Sequence, residues 1–370
     1  MASDHGSGVQ LGLRRYLGNR VWRWRWPKQG KRFEDLLADD NFDGVIAHVS
    51  KPDMAEVLRQ SGLPVVNVSG QMPEAGLPRV GIDDRAVGQL AADHLAQLGF
   101  RHFLYAGVND FGFSVTRGDA FMAALRDGPA MHVERIAFGL GSPAWELALD
   151  ALAEVLTHGP KPLAVFTDND SMAVNFCRIA RAQGVAVPTD VAVLGVDNVR
   201  WKCEFQTPSL SSIDLPWEQV GYRAADLLER MMHGEAPPNE AILLPPTGVV
   251  QRESTSVLAV DDPLVRKALQ LIETGATSGL NVDELVDELP VTRRTLQEKF
   301  KQALGRTPGE HLRLIRLKHT REMLVQTDRR LADVALRCGY CSQSHLTKAF
   351  RQATGQTPAA FRRQHRMADD

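Results

Sequence analysis

The chain has 370 residues, 44% of them hydrophobic, with 43 Lys and Arg against 45 Asp and Glu, an ordinary globular composition with length for two or three domains. Its four cysteines do not make a disulfide framework, no apolar run approaches the ~18 residues of a membrane span, and no basic-then-apolar leader opens it; the expected location is cytoplasmic, with no membrane partner. The net charge of −2 conceals an asymmetry, because residues 281–366 carry 17 Lys and Arg against 9 Asp and Glu, and the remainder 26 against 36. A basic terminal module on an acidic body is the electrostatic footprint of nucleic-acid binding.

In chain order, Gly6-Ser7-Gly8 lacks the preceding strand and following Gly-Lys-Ser/Thr of a phosphate cradle. Trp22-Arg23-Trp24-Arg25-Trp26 alternates with period two, which predicts a strand with its indoles buried on one face and its arginines on the other. Stacking on single-stranded nucleic acid is the competing use of such a segment. A β/α rhythm follows. Strands are predicted at 42–47, 64–68, 79–82, 103–107, 163–167 and 191–196, and helices at 52–61, 86–98, 117–125, 145–157, 171–183 and 217–232. Short apolar strands alternating with helices call for parallel sheets covered on both faces. Ligands in such sheets bind beyond the carboxyl ends of the strands.

Polar residues gather at those ends: Asp83 and Asp84, Asp168, Asn169 and Asp170, Asp197 and Asn198, with Arg117 opening a helix. Together they can exchange hydrogen bonds with a polyol as donors and acceptors. Singly, each is also an ordinary cap or turn residue. An enzyme would need a positioned acid or base here, and only Asp168 and Asp170 offer themselves, with nothing around them to mark them.

These stretches resemble the periplasmic-binding-protein-like effector domain of lac-repressor-type regulators. The resemblance rests on Val80-Gly81-Ile82-Asp83-Asp84, Thr116-Arg117-Gly118-Asp119-Ala120-Phe121, Thr167-Asp168-Asn169-Asp170-Ser171, Leu194-Gly195-Val196-Asp197-Asn198 and Thr207-Pro208-Ser209-Leu210-Ser211-Ser212-Ile213. It implies a type I, two-subdomain α/β fold over residues 1–250. It also implies a sugar pocket lined by Arg117, Asn169 and Asp197, with Asp83, Asp168, Asp170 and Asn198 as further candidates, and a helix 217–232 that returns to the first subdomain. Members of that family open with an apolar strand ahead of the first polar turn, whereas Met1 falls inside the turn. A late start or a truncated chain is therefore expected, to be checked by the intact mass of the native protein.

Residues 251–262 are polar and read as a linker, and 263–274 as an amphipathic helix. The remainder repeats itself with a period of fifty: Leu296, Phe300, Lys301, Gln302 and Ala303 fall on Leu346, Phe350, Arg351, Gln352 and Ala353, and Gly305-x-Thr-Pro on Gly355-x-Thr-Pro. Each copy, 281–304 and 331–354, predicts a short helix, a tight turn and a second helix capped by Thr292 or Ser342. That is the helix-turn-helix layout, whose second helix enters the major groove. Leu296/Phe300 and Leu346/Phe350 face inward. Arg293, Arg294, Gln297, Glu298 and Lys301 are left outward in the first copy, and Gln343, Ser344, Thr347, Lys348 and Arg351 in the second. A helix over 308–326, with Pro at its first turn, spans on the order of 27 Å. That is comparable with the ~34 Å between successive major-groove faces.

The module resembles the AraC/XylS-type DNA-binding domain over about 262–365, through Arg294-Thr295-Leu296-Gln297-Glu298-Lys299-Phe300, Cys338-Gly339-Tyr340, His345-Leu346-Thr347-Lys348-Ala349-Phe350 and Phe361-Arg362. The resemblance implies base contacts from Arg294, Gln297, Glu298, Ser344, Thr347 and Lys348. Lys301, Arg351 and Arg362 are expected on phosphates. Cys338-Gly339-Tyr340-Cys341 with His345 has the spacing of a zinc or redox site but offers no fourth ligand, so no metal and no cofactor is expected.

The pairing of these two domains is similar to the xylose operon regulators. It implies a non-enzymatic transcription activator of pentose catabolism, with double-stranded DNA, a sugar such as D-xylose, a second copy of the chain and RNA polymerase as partners. The alternative is a constitutive or repressing DNA-binding protein with a vestigial pocket.

Overall fold

The computed structural model describes residues 4–18, 20, 22–24, 37, 42–126, 130, 132–256 and 262–365. The first helix, α1 (Asp4–Leu17), lies against α8 (Trp217–Met232). Small residues make this approach possible: a Cβ on Gly12 would sit 1.9 Å from the Glu218 carbonyl oxygen, and one on Gly221 2.0 Å from that of Val9. Gly8 likewise faces Trp217 across this helix pair. Tyr16 hydrogen-bonds Glu229 of α8 and meets Tyr222 edge-on.

Beyond α1 the described part of the predicted tryptophan strand, Trp22 to Trp24, is not a strand. Trp22 to Trp24 have no regular structure, and Trp22 folds back edge-on to Tyr16 with Trp24 tilted against it. Local alternation alone cannot make a strand where no neighbouring strand supplies its hydrogen bonds. Arg25 and Trp26 lie outside the described residues.

Strand β1 (Val45–Ala47) leads through α2 (Pro52–Gln60) to β2 (Val65–Asn67), paired parallel with it. β3 (Val80–Ile82) joins this group through a single Asn67–Arg79 bridge and pairs parallel with β9 (Ile242–Leu244). α8 covers all three of β1, β2 and β3, the return expected of helix 217–232.

α3 (Asp84–Gln97) lies along α4 (Gly112–Arg126) and carries the chain to the second sheet. That sheet has the order β10-β8-β7-β6-β4-β5, built from β4 (His102–Val108), β5 (His132–Phe138), β6 (Leu163–Thr167), β7 (Val191–Val196), β8 (Ser211–Asp214) and β10 (Gly248–Val250). All neighbours are parallel except β10 with β8. α5 (Ser142–His158), α6 (Asp170–Ala182) and the short α7 (Arg200–Glu204) complete the layers. The buried strands β6 and β7 read as continuous apolar runs, and so were legible. β5 was not: it is an edge strand whose half-buried Glu134 and Arg135 break the apolar run.

The predicted linker begins too early. Glu253–Thr255 forms a 3₁₀ turn with Ser254 and Thr255 fully buried. Ser254 Oγ donates to the Val193 carbonyl at 2.6 Å and accepts from Ser211 N at 2.8 Å. The cluster of hydroxyl residues that looked solvated is a plug closing the polar edge of β7 and β8. Residues 257–261 lie outside the described residues.

The C-terminal module is all helical: α9 (Pro263–Gly275), α10 (Val282–Asp287), α11 (Arg293–Leu304), α12 (Pro308–Gln326), α13 (Leu331–Arg337), α14 (Gln343–Thr354) and α15 (Pro358–His365). It has two separate cores strung on α12. Leu312 and Ile315 close the first, around Leu296 and Phe300, and Leu317 and Leu324 close the second, around Leu346 and Phe350.

Candidate functional site

A cavity of about 210 Å³ opens where the carboxyl ends of β2, β3, β6 and β7 face one another. It is smaller than the ~300 Å³ at which drug-sized pockets begin, and so suits a single small polar ligand. Phe111, Phe113 and Trp217 supply aromatic walls, and Gln71, Arg79, Asp84, Arg117, Asn169 and Asp197 supply polar groups.

Arg117 sits on α4 and is only 3% exposed. Its Nε donates to Asp84 Oδ1 at 2.8 Å, its Nη1 to the Asp168 carbonyl oxygen at 2.6 Å, and its guanidinium lies 4.8 Å from the Phe113 ring centroid. Burial pulls its pKa down, but the carboxylates of Asp84 and Asp197 more than offset this and raise it, so the charge is fixed. Asn169 caps α6, its side-chain oxygen accepting from Met172 N at 2.9 Å, while also lining the cavity. Asp197 has φ +104 and Asn198 φ +50, a left-handed conformation that costs a non-glycine residue about 1–3 kcal/mol. Burial, offset first by Arg117, pushes the Asp197 carboxyl up to about 7.

Four other strand-end candidates are spent on the scaffold and do not line the cavity. Asp83 caps α3, accepting from Ala86 N at 3.0 Å. Asp168 accepts from Val108 N at 2.9 Å beneath the cavity floor. Asp170 holds Val199 N, Ser212 Oγ and Cys203 Sγ at 2.7, 2.6 and 3.4 Å, and burial pushes it up to about 7. Asn198 is clamped between Asp214 and Arg252 at 3.0 and 2.8 Å. The three carboxylates accept from backbone N–H groups at the strand ends, where unpaired N–H groups are most in need of acceptors, whereas the Asn198 amide bridges two side chains. Residue-type reasoning passed over Arg79, Gln71, Phe111, Phe113 and Trp217. The Phe111-Gly112-Phe113 run where β4 passes into α4 was a usable signal, since aromatics at the carboxyl end of a parallel strand lie where such sheets bind ligands.

The second constellation is on α11 and α14. Thr292 and Ser342 cap them, accepting from Thr295 N and His345 N at 3.2 and 3.1 Å, as their positions predicted. Arg293, Arg294, Gln297, Glu298 and Lys301 are exposed on α11. Arg293 pairs with Asp283 at 2.5 Å and Arg294 with Glu298 at 2.8 Å. On α14, Gln343, Ser344, Thr347, Lys348, Arg351 and Gln352 line one shallow concavity. Arg362 is half-buried, with its Nε and Nη2 unpartnered among the described residues. Cys338 points into the second core with its Sγ 3.6 Å from Met323 Sδ, whereas Cys341 is exposed with its Sγ 3.2 Å from His345 Nδ1. The two thiols therefore do not converge.

Known proteins carry both kinds of domain. Residues 92–255 match the periplasmic binding protein-like domain family, and residues 285–364 a helix-turn-helix domain family. The xylose operon regulatory protein of Escherichia coli K12 is 27% identical over 335 residues, 89% of this chain and 86% of that protein. Its namesake in Haemophilus influenzae is 26% identical over 344 residues, again 89% of this chain and 87% of that one. Among solved structures, the xylose-binding transcription activator xylR superposes with a TM-score of 0.61 at 25% identity, covering 99% of this chain and 96% of that one. The chain is thus a DNA-binding transcription regulator, not an enzyme, that joins a periplasmic binding protein-like domain to a helix-turn-helix domain of the AraC type.

Proposed function

We propose that the chain is a sugar-controlled activator of catabolic genes, with D-xylose or a related pentose as its effector. The observation that carries this is the cavity itself: it is monosaccharide-sized, with aromatic walls and a fixed guanidinium, an amide and a carboxylate on its polar side. Rings of a sugar stack on aromatic faces through their C–H groups while the hydroxyls exchange charge-assisted hydrogen bonds. Two relatives named for the xylose operon and a xylose-binding structural neighbour support the same choice. Arg294, Gln297, Glu298, Ser344, Thr347 and Lys348 read bases, and Lys301 and Arg351 bind phosphate. The half-buried Arg362 would first have to swing out to do so. The active species is a homodimer in the cytoplasm that contacts RNA polymerase.

Calorimetric titration of the full chain with a pentose panel, xylose first, is expected to show saturable one-site binding that Asp197→Ala abolishes. A panel in which no pentose binds would return the chain to the alternative of a DNA-binding protein with a vestigial pocket.

A further inference from the structure

Arg79 reaches the cavity from the first group of strands, and among the described residues it has a long ion pair with Asp84 but no hydrogen bond. It precedes β3 and is 9% exposed. Its guanidinium lies over Gly81: a Cβ there would be 3.0 Å from Nη2 and 3.1 Å from Nε, a fit that leaves a few tenths of an ångström too little room. The Nε is buried without a hydrogen-bond partner among the described residues. Nη2 lies 3.8 Å from Asp84 Oδ2, beyond hydrogen-bond reach, and Asp84 commits its other oxygen to Arg117 at 2.8 Å. Nε and Nη2 form the forked edge with which an arginine grips two oxygens at once. Buried donors are nearly always satisfied, because leaving one unmade forfeits its solvation. A fork held buried, lining a cavity and without a protein hydrogen bond is matched by what enters the cavity.

We propose that Arg79 is a specificity-determining residue of this pocket, its Nε–H and Nη2–H donating to two adjacent acceptor oxygens of the bound ligand. Those oxygens belong either to a neutral pentose, as a ring oxygen and hydroxyl or two neighbouring hydroxyls, or to the carboxylate of the corresponding sugar acid. The inference rests on the sugar-effector reading above.

The test is calorimetric titration of the full chain, as wild type, Arg79→Met and Arg79→Lys, with D-xylose, L-arabinose and D-xylonate, alongside urea unfolding without ligand. Arg79→Met should weaken binding by about tenfold or more, and lysine, a single point donor, should restore only part of it. Ligand-free Arg79→Met should unfold close to the wild-type midpoint, since it loses no protein hydrogen bond and the buried Asp84 keeps Arg117 as its nearer partner when the 3.8 Å ion pair goes. A larger loss for xylonate than for xylose assigns the two oxygens to a carboxylate, and the reverse to a neutral sugar. Wild-type affinity retained in Arg79→Met overturns the role of Arg79 alone. Affinity lost together with ligand-free stability makes Arg79 a structural residue and likewise overturns it. A wild type that binds none of the three overturns the sugar-effector reading itself.

Discussion

At Asp197 both the backbone and the carboxyl are held against their own preference. The left-handed backbone is fixed by Asp197 N donating to the Ile213 carbonyl at 2.9 Å and by the three hydrogen bonds that clamp Asn198 beside it. The carboxyl is buried and pushed up to about 7, far above the ~3.9 of an unfolded aspartate. The folded protein therefore keeps a proton there that the unfolded chain has released. This contribution to stability is complete below the unfolded pKa and is lost as pH rises through the folded one. Wild type should accordingly lose stability relative to Asp197→Asn between about pH 4 and 7, by up to about 1.4 kcal/mol per pH unit, and level off above, in paired urea titrations. The difference matters because His94 and His311, both pushed down to about 3 by burial, also tilt the absolute curves and cancel in it. A gap that does not change with pH would mean that Asp197 is ionised throughout.

Among the elements, the two most exacting packings are α1 on α8 and the reading helices on α12. The Gly12 contact is with backbone, which cannot turn aside as a side chain can. Gly12→Val should therefore cost at least about 1–3 kcal/mol, the range for overpacking a close interface, read as a fall in urea midpoint. An unchanged midpoint would mean that α1 is not docked in solution. On α14 the helix is held by Leu346 and Phe350, both fully buried, and is free to present the opposite face. Lys348→Ala should weaken a specific operator by roughly 1–3 kcal/mol and random DNA by less, as removal of a base contact does. Arg351→Ala should weaken both alike and lower the salt dependence, as removal of a phosphate contact does. Fluorescence anisotropy at two salt concentrations separates the two residues. Because Arg294 and Glu298 align with Ser344 and Lys348, the two helices read different bases, and a direct asymmetric site per chain is expected.

Across the whole molecule, the two domains meet through α12, which packs on β10. The side chain of Glu322 comes within 3.8 Å of a Cβ built on Gly248. Beside it, Asp93 of α3 is raised by burial and opposed by its bond from Gln89 and by the charges of Arg321 and Arg306. α3 thus presents Asp84 to the cavity near one end and Asp93 to the DNA-binding module near the other. Asp93→Lys would face two arginines with a third like charge. It is expected to leave sugar binding and DNA binding each measurable but to reduce the factor by which sugar changes operator affinity. The converse factor, DNA on sugar affinity, must fall equally, because coupling between two binding events is reciprocal. Intact coupling would place the communication elsewhere.

Local patterns alone determined a good deal: the buried parallel strands, the fifty-residue repeat with its caps at Thr292 and Ser342, and the identity of the outward residues on α11 and α14. Each follows from interactions within a few residues, namely apolar runs, helical spacing and a hydroxyl before a helix. Only the tertiary structure decided which strand-end side chains reach the cavity. Asp84 reaches it and Asp83 caps a helix, though they are neighbours of the same charge. It also turned the hydroxyl-rich stretch at Ser254 and Thr255 from a presumed linker into a buried plug, and brought Arg79, Arg117 and Trp217 to one cavity. For Arg117, Asp170 and Ser254 the reason is that a polar side chain goes to a buried donor or acceptor left unpaired nearby, and that neighbour comes from a distant part of the chain.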